Sequence, residues 1–213
     1  MKPKDNKKIA LVGGGPSLKK HIELLKEFET ILVCGSPNDY IIEQGIIPTY
    51  VAVCDPDAIM AKYLTKLDKR VTYLVASGCH DEVFTTLKNQ NIVMWHCHSD
   101  EYAQQMQQAD PEYFGVGGGC TIGLRGLSIA IVLGYKDIHF FGFDSCIDED
   151  NLEEHHAYKF VTPEETIGEI YEIRVGNLFD GAEGASKVYH CAGYQLAQAE
   201  QFKLFYSQYG RTF

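Results

Sequence analysis

No apolar run in this sequence approaches the roughly 18 residues that a bilayer-spanning helix needs. The amino-terminal stretch Met1-Lys2-Pro3-Lys4-Asp5-Asn6-Lys7-Lys8 leads into a short apolar strand without a signal-peptide core. Both absences point to a cytoplasmic protein without a membrane partner. Paired cysteine spacing is missing too: seven cysteines are scattered singly, an odd number that favours reduced thiols over a disulfide framework. Positive charge is scarce, with 19 Lys and Arg against 29 Asp and Glu and a net charge of -10. That excludes a broad basic surface for nucleic acid and leaves room only for a local basic cleft. Linkers, repeats and low-complexity tracts are absent. The 213 residues, 45% hydrophobic and 12% aromatic, therefore read as one domain, 1–213, with a substantial core and no sign of its oligomeric state, a homo-oligomer included.

The two familiar nucleotide fingerprints are also missing. Gly13-Gly14-Gly15-Pro16 lacks the spaced third glycine of the dinucleotide motif and the Gly-Lys-Ser/Thr end of the P-loop. What stands in their place is a pair of glycine turns, Gly13-Gly14-Gly15-Pro16-Ser17-Leu18 and Gly117-Gly118-Gly119-Cys120-Thr121. The first follows the apolar run Ile9-Ala10-Leu11-Val12 and precedes apolar residues at helical spacing, so it reads as strand, turn, helix. Glycines there permit positive φ and close approach, Ser17 can cap the helix, and open N–H groups of a first helical turn can face an anion. A phosphate or diphosphate is the ligand implied, and the plain alternative is a tight structural turn.

Strands are expected over 9–12, 30–34, 50–53, 72–76, 92–94 and 137–141, and helices over 17–27, 58–67, 80–88, 101–107 and 121–133, with a closing helix over 194–206. This alternation predicts an α/β fold of modified Rossmann-like, doubly wound type with a mainly parallel sheet. Its ligand crevice should lie beyond the carboxyl ends of the strands, where both glycine turns, Cys34-Gly35-Ser36, Asp55-Pro56-Asp57 and Gly142-Phe143-Asp144 would gather. From 145 to 187 the pattern gives way to an acidic, glycine-containing stretch that reads as a lid or insertion.

Several side chains on that rim carry candidate chemistry. Asp55 and Asp57, two residues apart after a strand, are arranged to converge on one Mg²⁺, although Asp57 also suits helix capping. Cys79-His80 and His96-Cys97-His98 hold zinc-capable groups without the paired spacing of a structural zinc site. Cys120 sits where a helix start lowers a thiol pKa, but no base accompanies it in sequence, so it reads as a small turn residue.

The first turn, Tyr50-Val51-Ala52-Val53-Cys54-Asp55-Pro56, the second turn, Ala130-Ile131-Val132-Leu133-Gly134-Tyr135-Lys136-Asp137-Ile138, Gly142-Phe143-Asp144 and His156-Ala157-Tyr158 occur in an order that resembles the family joining motility accessory factors with archaeal 6-hydroxymethylpterin diphosphokinases. The likeness runs from Ile9 to Tyr158 and extends more weakly to bacterial sialyltransferases through Gly13 to Leu18 and the Leu-Gly-Tyr-Lys segment. It implies a nucleotide-dependent transferase, with a nucleotide or nucleotide-sugar donor and an acceptor that the sequence does not name. In the glycosyl-transfer reading, which needs no cofactor, the resemblance implies that Gly13, Gly14, Gly15, Pro16 and Ser17 hold donor phosphates. Cys34, Gly35, Ser36 and Asp55 then line the nucleoside, and Gly118, Gly119, Cys120, Thr121 and Asp144 complete the pocket. His190, placed like the sialyltransferase histidine before a final helix, is the expected base, while His156 and Tyr158 match the family's His-Ala-Tyr motif. The alternative is a diphosphokinase acting on a hydroxymethylpterin-like substrate, with Mg²⁺ on Asp55 and Asp57. A third reading keeps nucleotide binding without catalysis.

Overall fold

The computed structural model describes residues 8–148, 156–158, 169–175 and 187–209. Its frame is a sheet of seven parallel strands: β1 (Lys8–Val12), β2 (Ile31–Cys34), β3 (Tyr50–Val53), β4 (Thr72–Ala76), β5 (Asn91–Cys97), β6 (Gly115–Val116) and β7 (Asp137–Phe141). The inner strands read as unbroken apolar runs because helices cover both of their faces. Alternate residues then serve two cores. Ala10, Val12, Val33, Val51 and Tyr73 point to one side, and Ile9, Leu11, Leu32, Ala52 and Leu74 to the other. The expected α/β Rossmann-like architecture is the one observed.

Strand order is β6-β5-β4-β3-β2-β1-β7. The chain builds outward from β1 to β6 and then places β7 on the opposite flank of β1. Progression reverses between β1 and β7, and in open α/β sheets the crevice forms at such a reversal, beyond the carboxyl ends of the strands. On one face, α5 (Ile122–Val132) lies against β1 and β2. Gly126 makes that approach fit, since a Cβ there would run into Cys34 Sγ.

Helices α3 (Asp81–Leu87) and α4 (Asp100–Ala109) fall where the periodicity places them. Two others are shorter than expected. The segment over 17–27 divides into α1 (Leu18–His21) and a 3₁₀ turn, Ile22–Glu27, and the segment over 58–67 is a 3₁₀ turn, Ala58–Tyr63. Periodicity does not register α2 (Asn38–Glu43), six residues closed by Gly45 at φ +76°. β8 (Ile170–Val175) and β9 (Lys187–Ala192) pair as an antiparallel hairpin where irregular chain was expected, and α6 (Gly193–Tyr209) follows. Of the expected lid over 145–187, residues 149–155, 159–168 and 176–186 lie outside the described residues.

Candidate functional site

The first glycine turn is bonded to the end of β7 and the loop that follows it. Gly13 N–H donates to Phe141 O at 2.8 Å, Gly15 N–H to Gly142 O at 2.8 Å, and Ser17 N–H to Asp144 Oδ2 at 2.9 Å. Thus the loop after β7 takes three of the N–H groups that the sequence assigned to an anion, while the Gly14 N–H, on a residue that lines the neighbouring cleft, has no protein partner among the described residues. The approach is close enough to demand glycine. A Cβ on Gly15 would strike the Asp144 carboxylate and lie 2.8 Å from Gly142 O, while Gly142 itself is held at φ +66° with its own Cβ position 2.5 Å from Gly13 O. Gly14 continues the seam by accepting the Ala157 N–H at 2.9 Å, and a Cβ there would meet the Tyr158 hydroxyl at 2.6 Å.

The second turn leaves its helix open. Thr121 caps α5 by accepting from Leu124 N–H at 3.3 Å, and Arg125 N–H returns to Thr121 O at 3.1 Å. The N–H groups of Ile122 and Gly123 have no protein partner among the described residues, and both residues line a cleft of about 500 Å³. Eleven residues of helix put a partial positive charge there.

This cleft occupies the β1/β7 switch point. Gly13, Gly14, Gly15, Cys34 and Ser36 line one wall, with Gly142, Asp144 and His156 beside them. The opposite wall is α6, through Gln195 and Gln198, and Phe140, Phe143 and Phe202 supply aromatic surface. Phe140 meets Phe143 and Phe202 edge-on, at centroid distances of 5.2 and 5.5 Å. α6 is tied to the second turn by Gln201 Oε1, which accepts from Cys120 N–H at 2.7 Å. Among the described lining residues there is no Lys or Arg, and Asp144 is the one carboxylate. Burial pushes the Cys34 thiol well above its ordinary pKa, which makes it a neutral wall rather than a nucleophile.

Other expected site residues stand around the cleft instead of in its lining. Tyr158 reaches it indirectly, its hydroxyl 2.5 Å from Ser36 Oγ. Gly35, at φ +74°, hydrogen-bonds Ala52 O, and Pro16, Gly118 and Gly119 shape the turns without lining the cleft. Asp57 caps the 3₁₀ turn through Ile59 N–H at 2.9 Å, and Asp55 Oδ1 accepts from Asp57 N–H at 2.9 Å, so each carboxylate already serves its own loop. His190, on β9 opposite Glu172, does not line the cleft; its carbonyl holds Ile147 N–H at 2.7 Å. No cluster of three His, Cys, Asp or Glu side chains with metal-binding geometry forms among the described residues, those around His80 and His96 included. Cys54 and Cys97 do meet, Sγ to Sγ 3.1 Å, with burial and the neighbouring thiol pushing Cys54 up to about 12.

The α6 wall escaped the sequence reading. Gln195, Gln198 and Phe202 recur at spacings of three and four, which puts them on one helical face, but periodicity does not say what that face meets.

An all-parallel Rossmann-like sheet with a ligand-sized cleft at its switch point defines the class of this protein. Within it, the chain belongs to the MptE-like family, described as 6-hydroxymethylpterin diphosphokinase MptE-like, whose profile matches residues 1–150. A solved structure with the same fold is the MAf glycosyltransferase from Magnetospirillum magneticum AMB-1, at TM-score 0.71 and 16% identity. The match covers 98% of this chain and 31% of that one, so the present chain spans about a third of its neighbour's length. A comparison with curated proteins finds no match.

Proposed function

We propose that this chain is a nucleotide-dependent transferase of glycosyltransferase type, moving a sugar from a nucleotide-activated donor to an acceptor. The observation that carries this reading is the open start of α5 at the switch-point cleft, facing a wall of amide donors and aromatic rings. Donor phosphates lie against the Ile122 and Gly123 N–H groups, where the helix dipole and two unmet donors stabilise the charge of the departing nucleotide. The first turn, bonded to the β7 loop at Gly13, Gly15 and Ser17, leaves only the Gly14 N–H toward the cleft and acts mainly as a spacer. It fixes Asp144 and the His156-Ala157-Tyr158 segment at the cleft mouth, through Ser17 and Gly14 respectively.

His156, which lines the cleft, takes the role of general base for the acceptor hydroxyl. The role expected for His190 does not suit a residue outside the lining. Tyr158 and Ser36 form a hydroxyl pair that orients the nucleoside end of the donor. This chemistry asks for no resident metal, because neutral donors carry the phosphate charge.

The family description favours a second reading, diphosphoryl transfer from ATP to a hydroxymethylpterin-like acceptor. There, Asp144, the one carboxylate among the described lining residues, would help hold a Mg²⁺ that offsets the phosphate charge, whereas the expected pair Asp55 and Asp57 stands outside the lining. A thermal-shift panel of ATP, GTP, CMP, UDP and their sugar conjugates, each with and without Mg²⁺, separates the two. Stabilisation by a CMP or UDP conjugate without metal supports glycosyl transfer. Stabilisation by ATP alone, and only with Mg²⁺, overturns it in favour of diphosphoryl transfer. His156→Ala should abolish transfer and leave nucleotide affinity within about twofold, since a base lowers the barrier without holding the nucleotide.

A further inference from the structure

Cys54 and Cys97 stand 43 positions apart in sequence, yet their sulfurs meet at 3.1 Å. The sheet brings them together. β4 pairs with β3 as far as Val53↔Val75 and with β5 as far as Ala76↔Trp95, and then turns back, Cys79 N–H donating to Ala76 O at 3.0 Å. β5 runs on to Cys97 and the chain runs on from β3 into Cys54, so the two thiols converge beyond the end of the strand that separates them. Cys97 is fixed by its pairing with Val116 of β6, whose carbonyl accepts from Arg125 Nη1 at 3.1 Å. Both thiols are half-buried, within reach of a small reagent, whereas the third thiol of this rim, Cys79, is buried and donates to Val53 O at 3.5 Å.

We propose that Cys54 and Cys97 form a redox modification site, which a small disulfide of the glutathione class converts into a reversible cross-link between the ends of β3 and β5. Burial first, and then the adjoining Cys97 thiol, push Cys54 up to about 12, and the Arg125 charge offsets only part of that. Cys97 therefore supplies the attacking thiolate. Its sulfur attacks one sulfur of the oxidant, whose S–S bond breaks, and one small thiol leaves carrying the Cys97 proton. Cys54 then gives up its proton as its sulfur attacks the Cys97 sulfur and expels the second small thiol. Two protein S–H groups are thus oxidised to one S–S bond, and one small disulfide is reduced to two thiols. The sulfurs need to close by only about 1 Å to reach bonding distance. Cys54 leads into the Asp55–Asp57 loop and Cys97, through His98 and Ser99, into α4, so the cross-link fastens both segments to each other. Neither thiol lines the switch-point cleft, and the site stands whichever transfer that cleft performs.

The test incubates the folded full chain with oxidised glutathione, blocks the remaining thiols with iodoacetamide, and maps the linkages by tandem mass spectrometry of proteolytic peptides. A Cys54–Cys97 link should form and disappear on treatment with dithiothreitol. A glutathione adduct on the exposed Cys120 is compatible with it and is scored separately. The cross-linked protein should melt higher than the reduced protein, by roughly 5–10 °C, because the bond closes a long loop in the unfolded chain. In Cys54→Ser, Cys97 should stop at the mixed disulfide with glutathione; in Cys97→Ser, Cys54 should stay reduced. The wild-type map is decisive even if a serine variant fails to fold. The proposal is overturned if both thiols stay reduced in the folded protein, if wild-type Cys97 stops at the glutathione adduct, if the link joins Cys79 or any other pair, or if the cross-linked protein melts no higher. An adduct on Cys54 in Cys97→Ser, with Cys97 left reduced in Cys54→Ser, would overturn the assignment of Cys97 as the attacking thiol.

Discussion

The two glycine turns look alike in sequence and do opposite things in the fold. In the first, three N–H groups are taken by the β7 loop and its carboxylate, and every glycine is pressed against a neighbour. In the second, Gly118 and Gly119 are also pressed, against Arg125 and against Gln201 and Leu124, but Gly117 has nothing within 4 Å of its Cβ position, and the helix that follows keeps two N–H groups open to the cleft. A glycine run after a strand thus marks close approach, but the approaching partner can be the protein itself or a ligand. Here both turns border the crevice, but the β1/β7 reversal gives protein partners to Gly13, Gly15 and Ser17 and leaves the start of α5 unpartnered.

Alanine substitutions would break this contrast most sharply. Gly15→Ala drives a methyl group into Asp144 and Gly142 and should cost about 3 kcal/mol, in the range of overpacked sites. A chain of this size would then melt roughly 6–12 °C lower. Gly117→Ala should stay within about 0.5 kcal/mol, as surface changes do. Equal losses in differential scanning calorimetry would erase the distinction.

The thiols sharpen it next. Cys34, buried on the cleft wall, has its pKa raised by burial, whereas Cys120 is exposed on the second turn. A thiol whose folded pKa is raised adds stability that is complete below the unfolded value, near 8.5, and that fades as pH climbs beyond it toward the folded value. At pH 10 the unfolded chain gains about 2 kcal/mol relative to the fold from Cys34 alone. Melting temperature should therefore fall above pH 8.5, and less steeply in Cys34→Ala. Iodoacetamide should label Cys120 in the folded protein and Cys34 only after unfolding; early labelling of Cys34 would contradict its burial.

Capping gives the smallest effects. Asp144→Ala removes the acceptor of Ser17 N–H and should cost about 1–2 kcal/mol, whereas Asp144→Asn, which keeps an oxygen there, should cost less. Thr121→Ala loses the Leu124 cap and should cost about 1 kcal/mol. Denaturant melts of the three variants measure both.

Local pattern made β3, β4 and β7 legible to the residue, because runs such as Tyr50–Val53 are apolar, β-branched and bounded by turn signals. It overran in the helix expected over 58–67, where the Asp57 cap starts a 3₁₀ turn, Ala58–Tyr63, that ends at Leu64. β6 and α2 are too short to carry a period, and β8 and β9 are defined by each other across a hairpin. For the cleft lining, Gly13 to Gly15, Cys34, Ser36, Thr121 and Asp144 were legible, since loops at the carboxyl ends of parallel strands converge whatever their details, and His156 was legible through the His-Ala-Tyr resemblance. Which N–H groups remain open, and that α6 closes the cleft, depend on contacts spanning up to 127 residues that no local pattern encodes.

The most direct measurement is backbone amide mapping of the ¹⁵N-labelled protein titrated with UDP, CMP and ATP. The largest shifts should fall on Ile122 and Gly123, with Gly13, Gly15 and Ser17 little changed because their N–H groups stay bonded to Phe141, Gly142 and Asp144. Dominant shifts at Gly13, Gly15 and Ser17, with Ile122 and Gly123 unmoved, would place the phosphates on the first turn and contradict the account.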